Sequence, residues 1–291
     1  MVSSLIARRL VLQGFIGLLP VVGCQLRADE RPSGGLPLGQ STTARPVVVA
    51  ASPSDSLVLT AAVLPDSLVL TPVPALPGVS DTLRRAIWRL YAALGPAAAA
   101  LRPEVLEQAC VGYLTLHHTG RIERAGLLAV ADMDLPNTTE RLWVVDLANA
   151  RVLYRSLVAH GAGSGKLRAT RFSNLEESAC TSLGFYRTAG TYDGLHGYSR
   201  RIEGLDKGQN ANAYDRYVVL HAADYASPEY IRQHGHLGHS RGCPALPPAQ
   251  YRAIIASVRV GSLLLLSGPG LASRWLDGAA AGRRFAQRGW K

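Results

Sequence analysis

The stretch RYVVLHAA, residues 216 to 223, is an apolar run that ends in a histidine and two alanines. Tyrosine, valine and leucine predict a buried β-strand here, with His221 near its end. A second stretch, GHSRGCPAL, residues 238 to 246, places Cys243 between a glycine and a proline. Twenty-two positions separate the histidine from the cysteine, which leaves room for a loop that returns beside the strand end. The two stretches therefore predict a strand-based domain in which an imidazole and a thiol can meet.

The segments around these stretches show the same strand pattern. Period-two alternation or short apolar runs occur in GLLAVADM, RLWVVDL, RVLYRSLVAH, LGFYRTAGTY, YSRRIEG and GSLLLLSG, all between residues 126 and 268. The second and third are separated by the polar ANA and predict a hairpin. A single late helix is predicted from PPAQYRAIIASVR, residues 247 to 259. Because strands and helices do not alternate regularly, the pattern argues against a Rossmann or TIM arrangement.

Two helices are predicted before the strands. SDTLRRAIWRLYAALG, residues 80 to 95, begins with a capping serine, ends with a glycine and has apolar residues at helical spacing. PEVLEQACVGYLTLHHTG, residues 103 to 120, begins with a proline, which the first turn of a helix tolerates. The predicted order is a helical segment over 80–120, a mostly β domain over 121–270 and a basic, solvated tail over 271–291.

The first 23 residues have the features of an export signal, with two arginines before a short apolar run. This run is too short for a comfortable membrane span. VVGC, residues 21 to 24, resembles the lipobox of bacterial lipoproteins, which predicts lipidation of Cys24. An ordinary signal peptide or an uncleaved anchor, with Cys24 incidental, is the alternative. Residues 24–79 are rich in Pro, Ser, Ala and Leu, contain DSLVLT twice and predict a tether.

The composition limits the classes of partner. The 291 residues are 47% apolar and carry a formal net charge of +10, so the chain can build a sizeable core and meet an anionic partner. Export argues against nucleic acid, and no strong basic stripe with interleaved aromatic residues is present. We expect a cell-envelope location, as a periplasm-facing membrane lipoprotein anchored through Cys24, with an acidic envelope polymer such as peptidoglycan as the partner.

Cys243 has the sequence surroundings of a catalytic thiol. Gly242 allows a substrate backbone to approach, Arg241 supplies a positive charge, and consecutive N–H groups can bind an oxyanion. Cysteine acyl transfer also needs a base, and His221 at its strand end is the best placed. A structural or disulfide-bonded Cys243 is the alternative interpretation.

Two further alternatives concern the neighbouring cysteines and histidines. Cys110 and Cys180 can form a disulfide in an oxidising compartment or stay free. The three histidines of residues 234–239 have a spacing that can bind zinc, with Cys243 as a fourth ligand, although a zinc-bound thiolate would be lost as a nucleophile. We assign no metal and no other cofactor.

The combination RYVVLHAA and GHSRGCPAL resembles the YkuD-like L,D-transpeptidases, whose signature is a strand-end histidine followed, after a variable loop, by Ser-His-Gly-Cys. The run over roughly residues 82 to 267 is similar to a divergent branch of murein L,D-transpeptidase catalytic domains. The resemblance implies a mainly β fold, a sandwich or barrel-like catalytic domain preceded by the two helices. It also implies that a cysteine attacks the L,D-peptide bond before the terminal D-Ala of a peptidoglycan stem peptide, and that an amine or water resolves the acyl-enzyme.

Carried over to this sequence, the resemblance makes Cys243 the nucleophile, His221 the general base, and Gly242 and Ser240 the oxyanion loop. Arg241 departs from the signature because it replaces a histidine, and a guanidinium cannot exchange protons; it can hold a carboxylate or favour the thiolate. Substrate-side positions are predicted at Arg241, Tyr225, His160, Arg171, Asn174 and His239, although several of these side chains could simply satisfy loop backbone.

The function predicted on this basis is a cysteine-dependent L,D-transpeptidase or L,D-carboxypeptidase, because the two activities share the acyl-enzyme. Its partners would be peptidoglycan stem peptides. A zinc-dependent envelope hydrolase that uses the histidine-rich loop and a non-catalytic peptidoglycan-binding lipoprotein are the alternatives.

Overall fold

The computed structural model describes residues 76–291. The predicted export signal, the lipidation at Cys24 and nearly all of the tether lie outside the described residues. Within the described range, no helix is both long enough and apolar enough to cross a membrane.

A single mixed sheet dominates the described residues. Its strands are β1 (Leu127–Asp132), β2 (Leu142–Asp146), β3 (Arg151–Ser156), β4 (Gly184–Gly194), β5 (Gly197–Gly204), β6 (Val219–Ala222), β7 (Ala245–Leu246) and β8 (Leu263–Ser267). They are ordered β3-β2-β1-β8-β4-β5-β6-β7, and the pairs β1–β8 and β6–β7 are parallel while the others are antiparallel. The predicted hairpin is the β2–β3 pair, and the mainly β prediction is confirmed.

The two edges of the sheet approach each other. Ala159, just after edge strand β3, forms a backbone bridge with Ala245 in the opposite edge strand β7. A second bridge joins Gly161 and Ser240. The sheet therefore nearly closes into a barrel, and both bridges lie next to the stretch that contains Cys243.

Strand β8 explains why one predicted strand contains four consecutive leucines. Leu263 and Leu265 belong to the core that the N-terminal helices cover, whereas Leu264 and Leu266 belong to the core on the other face. Successive side chains of a strand point to opposite faces, so a strand covered on both sides is apolar throughout.

Both predicted N-terminal helices are present. They are α1 (Asp81–Leu94) and α2 (Pro103–His118). The Oγ of Ser80 accepts from the N–H of Leu83 at 3.3 Å and caps α1, and Gly95 ends it with a φ of 59°. Nearly every residue of the middle of α2, Cys110 included, is buried between the sheet and the other helices.

The C-terminal region differs from the prediction of a solvated tail. Residues Gly278–Arg288 form a helix that packs on α2, and the Oδ1 of Asp277 caps it by accepting from the N–H of Ala280 at 2.9 Å. Its fully buried side chains are small or charged, Ala281 and Arg284 among them. The sequence therefore lacks the stripe of large apolar residues that predicts a packed helix.

The second half of the chain thus has three helices rather than one: α3 (Pro228–His234), α4 (Tyr251–Ser257) and α5 (Gly278–Arg288). Helix α4 is the one that the sequence predicted. Helix α3 buries none of its residues, so it produces no hydrophobic period.

Candidate active site

The predicted nucleophile and base lie on neighbouring chain segments at one corner of the sheet. Strands β6 and β7 pair in parallel with His221 opposite Ala245. Cys243, half-buried, precedes β7, and its Sγ accepts from the N–H of Val219 at 3.4 Å and lies 3.7 Å from the carbonyl oxygen of Tyr217. The thiol is therefore level with a residue two positions before the histidine, about 7 Å along the strand. In the described residues, no hydrogen bond joins the Cys243 thiol to the His221 imidazole.

His221 is buried, and its ring orientation is fixed. Its Nδ1 lies 2.8 Å from the carbonyl oxygen of Ala222. Because a carbonyl only accepts, the neutral ring carries its proton on Nδ1 and keeps the free lone pair on Nε2. Burial lowers the pKa of His221, the bond to Ala222 offsets part of this effect, and the nearby His196 lowers the pKa further. The imidazole is therefore neutral, as a general base requires.

Arg216 is a cation beside the thiol that the sequence analysis missed. Burial raises the pKa of Cys243, whereas the N–H of Val219 and the charge of Arg216 act against that rise. The guanidinium is fixed by hydrogen bonds to the carbonyl oxygens of Ser173 at 2.9 Å and Cys180 at 2.8 Å. Its only sequence signal was its place at the start of RYVVLHAA, and its position beside the thiol arises through the fold.

The turn before the thiol is held by Ser240 and Gly242. The Oγ of Ser240 donates to the carbonyl oxygen of Cys243 at 2.7 Å and accepts from the N–H of Gly242 at 3.0 Å. Gly242 has a φ of +126°, and a Cβ there would lie 2.7 Å from the carbonyl oxygen of Cys180. Glycine is therefore required by both the backbone conformation and the space. Ser240 is used to hold this turn.

A cavity of ≈ 290 Å³ opens beside the thiol. Its walls carry charges of both signs and are formed by Glu176, Glu177, Asp215, Arg216, Tyr217, Arg241 and Cys243. Tyr217 and Glu177 have positive φ values of 55° and 57°, a conformation that costs free energy for residues other than glycine. Arg241 and the Cys243 thiol therefore line the same cavity.

Tyr225 lies near the thiol and is half-buried. Burial and, secondarily, the charge of Cys243 raise the pKa of Tyr225 to about 12. Its Cβ packs so closely on Gly238 that a Cβ added there would be 2.5 Å away. The hydroxyl is therefore un-ionised near the site.

Two other predicted substrate residues join loops around the cavity. The guanidinium of Arg171 donates twice to the carbonyl oxygen of Gly163, at 3.0 and 2.8 Å. The Oδ1 of Asn174 accepts from the backbone N–H of Asn212 at 3.0 Å. These hydrogen bonds connect the segment that contains both residues to the backbone at Gly163 and Asn212, so both side chains are engaged within the protein.

His160 is completely buried and is not among the residues that line the cavity. Its Nε2 lies 2.9 Å from the carbonyl oxygen of Gly165, so this nitrogen donates, and Nδ1 accepts from Arg141 at 2.7 Å. Burial and the charge of Arg141 lower the pKa of His160 to about 4. The other N–H groups of Arg141 donate to the carbonyl oxygens of Met133, Leu135 and Val158. The expectation that His160 lines the substrate groove is thereby corrected, because both ring nitrogens are used inside the protein.

The three histidines of residues 234–239 do not converge on Cys243. Their neighbours are the ring of Tyr230 for His234, the carbonyl oxygen of Leu237 for His236 and the carbonyl oxygen of Lys166 for His239. Between residues 76 and 291, no group of three or more His, Cys, Asp or Glu side chains is arranged to hold a metal ion. The donor arrangement expected for the zinc interpretation is thus not found in this loop.

The cysteines of the described range, Cys110, Cys180 and Cys243, are all free. Cys110 is enclosed in the helical core, whereas Cys180 lies in the loop before β4 with its Sγ directed toward Gly163. The disulfide considered between Cys110 and Cys180 is therefore not formed in this structure.

Comparison with known proteins gives one family and a group of similar folds. The family model described as the L,D-transpeptidase catalytic domain matches residues 97–266. A search of curated proteins finds no match. The solved structures that are similar include an L,D-transpeptidase from Mycobacterium smegmatis, with 18% identity, a TM-score of 0.31 and coverage of 49% of this chain and 59% of that chain.

Two further similar structures come from other organisms. The helical cell shape determining protein Pgp2 from Campylobacter jejuni has 11% identity and a TM-score of 0.35, with 60% of this chain and 63% of that chain covered. An L,D-transpeptidase from Xylanimonas cellulosilytica has 16% identity and a TM-score of 0.30, with 67% of this chain and 99% of that chain covered. This chain matches less than two thirds of the length of the Mycobacterium smegmatis enzyme. Because the family model spans more than half of the 291 residues, including the corner with His221 and Cys243, the chain belongs to the L,D-transpeptidase catalytic domain family.

Proposed function

We propose that this chain is a cysteine-dependent L,D-transpeptidase or L,D-carboxypeptidase that acts on peptidoglycan stem peptides through an acyl-enzyme. The observation that carries the proposal is the position of the Cys243 thiol, which lines a mixed-charge cavity beside the fixed cation Arg216. His221, on the adjacent strand, supplies a neutral imidazole whose Nε2 lone pair is free.

The protonation states support general-base catalysis rather than a preformed ion pair. Burial raises the pKa of Cys243 and lowers the pKa of His221, so both groups start neutral. The thiol proton must then move as the sulfur attacks, and His221 is the acceptor at this corner. The sulfur now faces the carbonyl oxygen of Tyr217, and we propose that the Cys243 side chain turns toward the imidazole when an electrophile binds, since catalytic hydrogen bonds often tighten only in the reacting complex.

The proposed reaction has two halves. In the first, Sγ of Cys243 bonds to the carbonyl carbon before the terminal D-Ala while its proton passes to Nε2 of His221. The oxyanion is stabilised by backbone N–H groups of the turn; that of Gly242 already bonds Ser240, which leaves the N–H of Cys243 as the principal donor. The C–N bond then breaks, and His221 returns the proton to the amine of the departing D-Ala.

In the second half, the thioester is attacked by an amine or by water. His221 takes the proton of the nucleophile, the C–S bond breaks, and the thiol is restored when His221 returns its proton to the sulfur. An amine acceptor gives a cross-linked peptide, and water gives a shortened stem. Both outcomes use the same residues of this chain.

The charges of the cavity fit a peptide that carries ionised groups. Arg241 is exposed on the wall that the thiol shares, so we propose that it binds the carboxylate of the D-Ala leaving group. Glu176, Glu177 and Asp215 on the same cavity can attract an amine.

The envelope location follows from the same proposal. Peptidoglycan lies outside the cytoplasm, so the enzyme would need export, and we propose that Cys24 carries a lipid that holds it at the periplasmic side of a membrane. The segment 24–79 would then be the tether between the anchor and the domain.

Intact-mass analysis after incubation with a carbapenem tests the nucleophile. The strained amide of the β-lactam is opened by the thiol, so the wild-type protein should gain the full mass of the inhibitor. The adduct should be absent from Cys243→Ala and present in Cys180→Ala, the matched control at a free cysteine with its sulfur directed elsewhere. An adduct that survives Cys243→Ala would remove Cys243 from the proposal.

Release of D-Ala from a tetrapeptide stem tests the substrate. The wild-type protein should release D-Ala, with an added amine acceptor distinguishing the transfer reaction from hydrolysis. If neither D-Ala release nor an inhibitor adduct occurs while the protein binds sacculi as well as Cys243→Ala does, the chain is a binding protein and the proposal is wrong.

A further inference from the structure

The hairpin between β4 and β5 carries a histidine over the buried base. His196 lies at the tip of this hairpin, and its ring centroid is 4.4 Å from that of His221 with an interplanar angle of 28°. The preceding Leu195 is 97% exposed. The tip as a whole is therefore not packed, and the contact depends on the imidazole of His196.

The geometry of the hairpin explains how its tip reaches the base. The β4–β5 register shifts between Thr188 and Thr191, and such a bulge bends and twists the paired strands. Beyond the bulge, the guanidinium of Arg201 lies 4.6 Å from the ring centroid of Tyr192, which links the two strands of the hairpin. The sequence had given no role to the residues of this turn.

We propose that His196 is a positioning residue for His221: the tip of the β4–β5 hairpin covers the ring of the base and holds it in the orientation set by the carbonyl of Ala222. The inference rests on the proposed function, in which His221 is the base. The Ala222 carbonyl fixes one edge of the imidazole, and the stacked ring restrains its face. Together they leave Nε2 as the free nitrogen and reduce the access of water to it.

The ionisable groups around this corner act on different partners. His196 acts on His221 and lowers its pKa; Arg216 acts on Cys243; and the charge of Cys243 acts on Tyr225. Because two imidazolium rings in contact repel, the stack is favourable only while at most one of them is protonated. The stacked ring of His196 thus adds to the effect of burial in keeping the base neutral.

The test compares His196→Ala and His196→Phe with Leu195→Ala, the matched control on the same exposed turn. The first readout is the NMR titration of the His221 imidazole. The second is the rate of alkylation of Cys243 by iodoacetamide as a function of pH. Circular dichroism checks that each variant is folded, which we expect because the tip contributes nothing to the cores.

His196→Ala should raise the pKa of His221, because the ring loses both its cover and a neighbouring charge. Alkylation of Cys243 near pH 6 should slow by about 10-fold, part of the ~10²- to 10⁴-fold that a positioned base contributes. His196→Phe keeps the cover, so the pKa of His221 should stay lowered and alkylation should stay near the wild-type rate. Leu195→Ala should match the wild-type protein in both readouts.

Two results would overturn the inference: a His221 titration unchanged in His196→Ala, or a loss in His196→Ala that His196→Phe does not restore. Neither readout uses peptidoglycan. A wild-type protein that forms no carbapenem adduct but shows the expected titrations would therefore refute the proposed function alone. A wild-type protein that forms the adduct while His196→Ala titrates normally would refute the positioning role alone.

Discussion

The buried pair of Arg141 and His160 should make the stability of the domain depend on pH. His160 has no exposed surface, and its pKa falls from an ordinary 6.5 to about 4 through burial and the charge of Arg141. The folded state therefore binds fewer protons than the unfolded state between these two values. The contribution of neutral His160 to the free energy of unfolding is complete above about pH 6.5 and is lost as the pH falls toward about 4. At about 1.4 kcal/mol per unit of pKa, the loss is about 3 kcal/mol.

His160→Gln is the informative perturbation. A glutamine can accept from Arg141 through its oxygen and donate to the carbonyl of Gly165 through its nitrogen, so it reproduces both hydrogen bonds without titrating. Its free energy of unfolding should fall by about 3 kcal/mol less than that of the wild type between pH 7 and pH 4. His234→Gln, at the exposed end of α3, is the matched control and should follow the wild type.

Urea denaturation at a series of pH values measures this difference. Other groups also titrate in the range, so the quantity to compare is the free energy of unfolding of His160→Gln minus that of the wild type at each pH. A difference that stays constant from pH 7 to pH 4 would refute the reasoning. The effect also bears on the site, because the carbonyl oxygen of His160 accepts from the N–H of Ser240 at 3.1 Å and so supports the turn before Cys243.

Three further outcomes are expected. Arg216→Gln should move the pH profile of Cys243 alkylation to higher pH because the thiolate loses a cation, while Arg216→Lys should move it less; identical profiles for all three proteins would contradict the assignment. Gly242→Ala should lower the free energy of unfolding by roughly 1–3 kcal/mol, seen as a lower thermal midpoint, and should abolish the carbapenem adduct. An adduct formed at the wild-type rate would contradict this. Tyr217→Gly should raise the urea midpoint, because release of a positive φ that costs roughly 1–3 kcal/mol exceeds the roughly 0.4–1 kcal/mol that glycine costs through the freer unfolded chain; an unchanged or lower midpoint would contradict this.

The parts of the fold that sequence could predict are those with local signals. Ser80 and Gly95 mark the ends of α1, and the leucines of β8 identify a strand covered on both faces. Helix α5 lacks a strong signal because its fully buried residues are a glycine, an alanine and an arginine, and β7, with two residues, is too short for any period. The formation of α5 depends on its packing against α2, and that of β7 on its pairing with β6.

The candidate site divides in the same way. His221 and Cys243 belong to stretches whose residue types suggest chemistry, so sequence could nominate them. Arg216 comes close to Cys243, and His196 to His221, only through the nearly closed sheet and the bent hairpin, and no spacing in the sequence encodes this proximity. The sequence misled for His160, because a histidine after a strand is expected to be accessible, whereas both of its ring nitrogens are hydrogen-bonded inside the protein.

The departure from the family signature at position 241 can now be separated from the electrostatics of the thiol. The cation that opposes the burial-induced rise in the pKa of Cys243 is Arg216, which is fixed by backbone carbonyls, whereas Arg241 is exposed on the cavity wall. We infer that a change at 241 alters what the cavity binds and leaves the reactivity of the thiol in place. Arg241→Gln should therefore weaken the binding of a carboxylate-bearing stem peptide, raising its KM, while the pH profile of Cys243 alkylation stays that of the wild type. A shifted profile would return the tuning role to Arg241 and contradict the separation.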